Sequence, residues 1–209
     1  MAKLFRHFAR YAVAPLACGG FIIFASYWSV AANGSLGPLA ATVFVIVPLI
    51  FSTIALPIAL ICCLAPKLRK SAMFVIVVSA IFLAVIPCGI RLGRELRRQG
   101  FTDLAKRSEP LVNAIKAYEK KYGFPPGELN AIVPEFLPQM PATGMAAYPR
   151  YIYRVVQKGH EDNPWMLEVF TPSGILNFDK FIYYPLQNYP RHWCGQPLEP
   201  IGDWVYLHE

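Results

Sequence analysis

Three clusters carry the side chains that do chemistry. His160-Glu161-Asp162 places an imidazole and two carboxylates in consecutive positions, the donor types of a metal site. His192-Trp193-Cys194 pairs an imidazole with a thiol, and Cys62-Cys63 is a vicinal thiol pair of the kind that forms a redox couple. Each lacks what its chemistry needs. His160-Glu161-Asp162 has no fixed spacing to a further ligand and reads as a solvated turn. No second Cys or His stands at ligand spacing from His192 or Cys194. Cys62-Cys63 sits inside an apolar run, where a thiol stays protonated and unreactive. There is no glycine-rich phosphate loop, no G-x-S-x-G and no H-E-x-x-H. The expectation is a non-enzymatic protein with no catalytic residues, no metal site and no cofactor.

The elements around these clusters explain why. Residues 1–90 contain six basic residues (Lys3, Arg6, Arg10, Lys67, Arg69 and Lys70) and no Asp or Glu. All 13 acidic residues lie beyond that point. Residues 91–107 carry a net +4 and residues 108–209 a net −3, so the overall +7 belongs to the flanks of the apolar segments. The mildly acidic tail has no basic cluster with interleaved aromatics, which argues against nucleic acid as a partner. Within residues 1–90, three apolar runs of about 20 residues or more, roughly 11–32, 36–64 and 71–90, meet the length of a membrane-crossing helix. The first is not a convincing signal peptide, because Ser26-Tyr27-Trp28-Ser29 interrupts a core-then-cleavage pattern. The middles of all three lack acidic and basic side chains, which argues against a proton or ion pathway. Lys and Arg flank the N-terminus and the second connection, while Asn33-Gly34-Ser35 in the first is uncharged. The bias expects the N-terminus inside and the tail outside. Arg91, Arg94, Arg97 and Arg98 follow the third run on the outer side and run against the bias; Arg91, Arg94 and Arg98 share one helical face and can snorkel to headgroups.

The five cysteines make no disulfide framework. Cys18, Cys62, Cys63 and Cys88 lie in or at the apolar runs, and Cys194 is the single thiol of the tail.

The chain divides at about residue 93 into a three-helix membrane domain (1–93) and a tail (94–209). Residues 91–107 continue as helix formers, and Ser108-Glu109-Pro110 has the form of a fresh helix start, with Ser as cap and Pro in the first turn. Leu104, Leu111, Ile115, Tyr118 and Tyr122 form one helical stripe. Gly123 then reads as a C-cap glycine, and Pro125-Pro126 forbids continuation. Beyond a proline-studded segment the period becomes two: 151–156, 165–170, 175–178, 181–184 and 203–208 read as strands. The fold expected is three transmembrane helices followed by an α+β domain, one long helix packed on an antiparallel sheet.

The segment Ala114–Pro141, with Y-x-x-x-Y-G-x-P-P followed by L-x-x-x-x-P-x-F-L-P-x-x-P, resembles the type IV pilins and type II secretion pseudopilins. The resemblance extends over about 71–184. It implies a pilin-like domain, with Gly123, Pro125 and Pro126 as the hinge that turns the chain from helix to sheet. The prepilin processing pattern is absent. Gly20-Phe21 is followed by Ala25 where the family carries glutamate, so processing and polymerisation are not implied.

The partners expected are membrane lipid and other membrane or periplasmic proteins. Tyr189, Arg191, His192 and Trp193 lie between the last two strand candidates in a loop punctuated by prolines. Aromatic and Arg residues displayed on a loop are the types that dominate binding energy. The function expected is that of a non-catalytic assembly or interaction component. The alternative is an accessory subunit held in a larger membrane complex through its transmembrane helices.

Overall fold

The structure is a computed structural model that describes residues 2–156, 162–174, 177–193 and 195–208. Three α-helices, α1 (Ala2–Val30), α2 (Gly37–Cys62) and α3 (Arg69–Tyr122), precede a short 3-10 turn (Leu129–Ile132). Six strands follow: β1 (Ile152–Val155), β2 (Trp165–Phe170), β3 (Lys180–Tyr183), β4 (His192–Trp193), β5 (Gln196–Ile201) and β6 (Trp204–Leu207). All three helices are long and apolar enough to cross a membrane, α1 from Tyr11 onward. The chain forms two compact units. One contains the residues up to Trp28 with Leu36–Arg97; the other contains Ser29–Ser35 with the chain from Arg98.

In the first unit, α1 and α3 approach through small residues. A Cβ on Gly89 would stand 3.0 Å from the Gly19 carbonyl oxygen and 3.2 Å from its Cα, so the two backbones touch there. One turn further, a Cβ on Gly93 would overlap Ser26, whose hydroxyl is turned back onto the Ile22 carbonyl at 2.8 Å. Ile22, Val45 and Ile86 form the buried centre, with Phe21, Leu49, Phe82 and Ile90 packed on it. Most of α2 faces outward: Phe51, Ile54, Ile58 and Ile61 are exposed. An apolar surface that wide is stable only against lipid or another apolar surface.

The second unit is an antiparallel sheet in the order β1-β2-β3-β6-β5-β4, with the latter part of α3 against one face. Alternation sends Trp165, Leu167 and Val169 of β2, Phe181 and Tyr183 of β3, and Trp204 and Tyr206 of β6 to that face. Phe101 of α3 packs on Phe181 at 5.4 Å and on Tyr206 at 4.9 Å between ring centroids. Further along, Lys116 lies over Tyr183, and Glu119 accepts the Trp165 indole N–H at 3.1 Å. The rings continue across the strands through Trp165–Tyr183, Tyr183–Trp204 and Phe181–Trp204. The opposite face is closed as well: Met166, Ile182, Tyr184, Val205 and Leu207 are buried together beneath Val156, Tyr189 and Leu198. Glu168, buried on that face, pairs with Arg154 at 2.9 Å.

Several sequence expectations are corrected. Ser108 does not start a helix, because α3 runs unbroken through Ser108-Glu109-Pro110. Its hydroxyl donates to the Leu104 carbonyl at 2.7 Å and lies 2.9 Å from the Tyr151 hydroxyl. The helix tolerates Pro110 because Lys106, whose carbonyl loses its donor, is exposed to solvent. On the stripe, Leu104, Leu111 and Ile115 are fully buried, whereas Tyr122 is exposed. The strand expected at 175–178 does not form over Asn177-Phe178; Ile175 and Leu176 lie outside the described residues. Asn177 instead closes a turn, its side-chain oxygen accepting the Ser173 and Gly174 amides at 2.7 and 3.0 Å. β4 and β5 occupy a stretch expected to be loop.

The glycine contact predicts opposite signs at two neighbouring positions. Gly20→Ala has open space and gains up to about 1 kcal/mol of helix propensity. Gly89→Ala forces two backbones apart and should lower the midpoint of thermal unfolding of the full-length protein in mild detergent. Equal effects at the two positions would mean that α1 and α3 do not meet at Gly19.

Candidate functional site

The segment between β3 and β5 starts with three residues that fix it. Tyr189 stacks on Tyr184 at 5.2 Å, its hydroxyl accepts the Tyr184 amide at 2.9 Å, and it donates to the Asp203 carbonyl at 2.6 Å. Burial pushes this phenol well above its ordinary pKa, so it remains a donor throughout the physiological range. Asn163 accepts the Leu186 amide at 3.0 Å and donates to Asn188 at 2.6 Å. Tyr189 is therefore an anchor of the segment and half-buried on the outer face of the sheet. Arg191 and His192 follow, and both are exposed.

His192-Trp193 is not loop but strand β4, paired with Gln196-Pro197 of β5. Gly195 has φ +81° at the connecting turn, a conformation that favours glycine. Over Leu198–Ile201, β5 pairs with β6 alone and its other side is an edge, the place where a strand accommodates a proline such as Pro200; Pro197 stands in the two-residue pairing with β4. Cys194 lies outside the described residues, as do His160 and Glu161, so the geometry of the His-Glu-Asp and His-Trp-Cys clusters is not on view. Among the described residues no three His, Cys, Asp or Glu side chains come together.

The end of α3 forms a second surface. Gly123 stands at φ +82°, and its amide donates to the Glu119 carbonyl at 2.8 Å, which is how a left-handed glycine closes a helix. Pro125 is half-buried and Pro126 buried, and the Pro126 carbonyl accepts the Tyr153 hydroxyl at 2.8 Å. The chain then returns alongside the helix. Glu135 meets Lys121 and accepts the Tyr122 hydroxyl at 3.0 Å; Thr143 accepts Arg107 Nε at 3.0 Å; Tyr148 reaches Phe101. The hydrogen bond to Lys121 lowers the Glu135 carboxyl below its ordinary pKa and raises that of Lys121.

Four aromatic rings cluster over this ion pair. Tyr118 lies 4.6 Å from Tyr122 and 5.6 Å from Phe136, and Tyr122 lies 6.4 Å from Phe124. Tyr122 and Phe124 are exposed, while Tyr118 and Phe136 are half-buried. Sequence reasoning missed this patch by assigning Tyr122 to the core stripe. The signal was present: residues 118 and 122 share a helix face, and Gly123 ends that helix before the sheet can cover it.

Tyr189→Phe should cost about 1 kcal/mol, because it leaves the part-buried Tyr184 amide without its partner, while the exposed Asp203 carbonyl can turn to water. Arg191→Ala should leave stability nearly unchanged, since the side chain is exposed. Thermal unfolding of both variants checks the contrast; equal midpoints would remove Tyr189 as the anchor.

No family model matches the chain, and no curated protein and no solved structure matches it.

Proposed function

We propose that the chain is a non-catalytic component of a bacterial inner membrane. In this reading α1, α2 and the first part of α3 cross the bilayer with the N-terminus inside. The sheet unit lies outside as a pilin-like domain that binds other membrane or periplasmic proteins.

The observation that carries the reading is the composition of α3. It is one unbroken helix of 54 residues, about 80 Å long at 1.5 Å per residue. Its first part is apolar on all sides. Its last part buries Phe101, Leu104, Ser108, Leu111, Val112, Ala114 and Ile115 toward one side, while Asp103, Lys106, Arg107, Glu109, Lys116, Lys120 and Lys121 are exposed. A helix that changes from all-round to one-sided apolarity suits passage from lipid into water. The long helix packed on an antiparallel sheet and closed by a glycine before a proline-rich return also supports the pilin resemblance.

The partner surface in this reading is the segment of Tyr189, Arg191, His192 and Trp193: Arg191 and His192 are exposed, and Tyr189 holds the segment in place. Full-length protein extracted in mild detergent, with its co-purifying chains identified, tests it. Arg191→Ala with His192→Ala should reduce recovery of a co-purifying partner by at least about tenfold, as expected when binding anchors are removed, at an unchanged unfolding midpoint. Full recovery with that variant, and loss when Phe51, Ile54 and Ile58 on the outward side of α2 are changed, would favour the accessory-subunit reading instead.

A further inference from the structure

We propose that Phe170 and Phe178 form a lipid-contacting tip that inserts into the headgroup layer of the bilayer, a contact that rests on the reading that the helices span a membrane. The two rings lie 6.4 Å apart and are 40% and 60% exposed. The chain spends specific interactions to display them there. Thr171 donates its amide to the Asp179 carbonyl at 2.8 Å, closing the connection between β2 and β3. Within it, Asn177 ties Ser173, Gly174 and Asp179 together. The buried Asp179 carboxylate accepts the Tyr206 hydroxyl at 2.8 Å. Phe178 stands between two residues whose side chains are engaged in this network, and it takes no part in it.

The end of the sheet that carries these rings identifies the occupant. β3 runs in the same direction as α3, because Phe101 packs on Phe181 while Lys116, fifteen residues later, lies over Tyr183. The residues before Phe181 therefore extend toward Arg98, where α3 enters this unit. The turn between α1 and α2 lies at the same end. Val30 is packed so closely on Gly100 that a Cβ there would stand 2.6 Å from it, and the Ala32 carbonyl accepts the Ala146 amide at 3.2 Å. Tyr148, two residues on, packs on Phe101 and donates to the Pro172 carbonyl at 3.1 Å, which leads directly to Phe170. A turn between two helices that each span a bilayer lies at its surface. Exposed aromatic rings level with that turn sit where such rings bury at the boundary of headgroups and acyl chains.

The test places the photoreactive residue p-benzoylphenylalanine singly at 178, 170, 124 or 51 in the full-length protein, in vesicles of phosphatidylethanolamine and phosphatidylglycerol. Adducts are read by mass. Phe51 lies on the outward side of α2 and reports whether the helices are in lipid; Phe124, exposed beyond the far end of α3, reports the water-facing background. Phospholipid adducts at 51, 178 and 170, with none at 124, are expected. Adducts at 51 but none at 178 or 170 would overturn the lipid tip while leaving the membrane reading intact. Protein adducts at 178 in place of lipid would also overturn it, in favour of a protein partner. Absence of lipid adducts at 51 as well would overturn both.

Discussion

The structure depends on α3 remaining a single helix across a change of surroundings. From Ala72 to Ile90 its side chains are apolar apart from Ser79; after Gly100 they are sorted into a buried stripe and a charged face. Three residues in or after this transition would ordinarily weaken a helix: Gly93, Gly100 and Pro110. Gly93 and Gly100 each accept a close neighbour that a side chain would exclude, Ser26 and Val30 respectively. Pro110 stands on an exposed turn where the lost hydrogen bond can be replaced by solvent. The same stripe then supplies Phe101, Leu104, Leu111 and Ile115 as the floor on which the sheet is laid.

Laying the sheet on that floor leaves little surface unspoken for. Rings from β2, β3 and β6 fill one face against α3, and a second apolar cluster beneath Tyr189 fills the other. Among the described residues of this unit, the exposed aromatic rings are Tyr122 and Phe124 where α3 stops, and Phe170 and Phe178 at the connection between β2 and β3. The proline-rich return from Pro125 to Pro149 serves this arrangement by carrying the chain back along α3, pinned at Glu135, Thr143 and Tyr148.

The helices, β2 and the closure at Gly123 were legible because each follows from local chemistry. Apolar runs long enough to span, alternation in Trp165–Phe170, and a glycine before two prolines admit few other structures. The misreadings share one cause, which is that tertiary contacts override local preference. Ser108-Glu109-Pro110 looks like a helix start until Tyr151 gives the Ser108 hydroxyl another use. Ile175–Phe178 alternates like a strand, yet Asn177 bonds to Ser173, Gly174 and Asp179 and closes a turn. Pro197 and Pro200 suggest loop because nothing local reveals that β5 is an edge. Of the residues expected to meet a partner, Arg191 and His192 are exposed, whereas the bonds of Tyr189 to Tyr184 and Asp203 depend on contacts across the fold that no spacing encodes.

Amide hydrogen exchange of the full-length protein in lipid nanodiscs tests the continuity of α3 most directly. An unbroken helix predicts protected amides from the apolar part through Gln99, Gly100 and Arg107, with the fast-exchanging positions confined to the end near Tyr122. Rapid exchange across Gln99–Thr102, or a fresh unprotected turn at Ser108–Leu111, would show two helices joined by a break and would contradict the account.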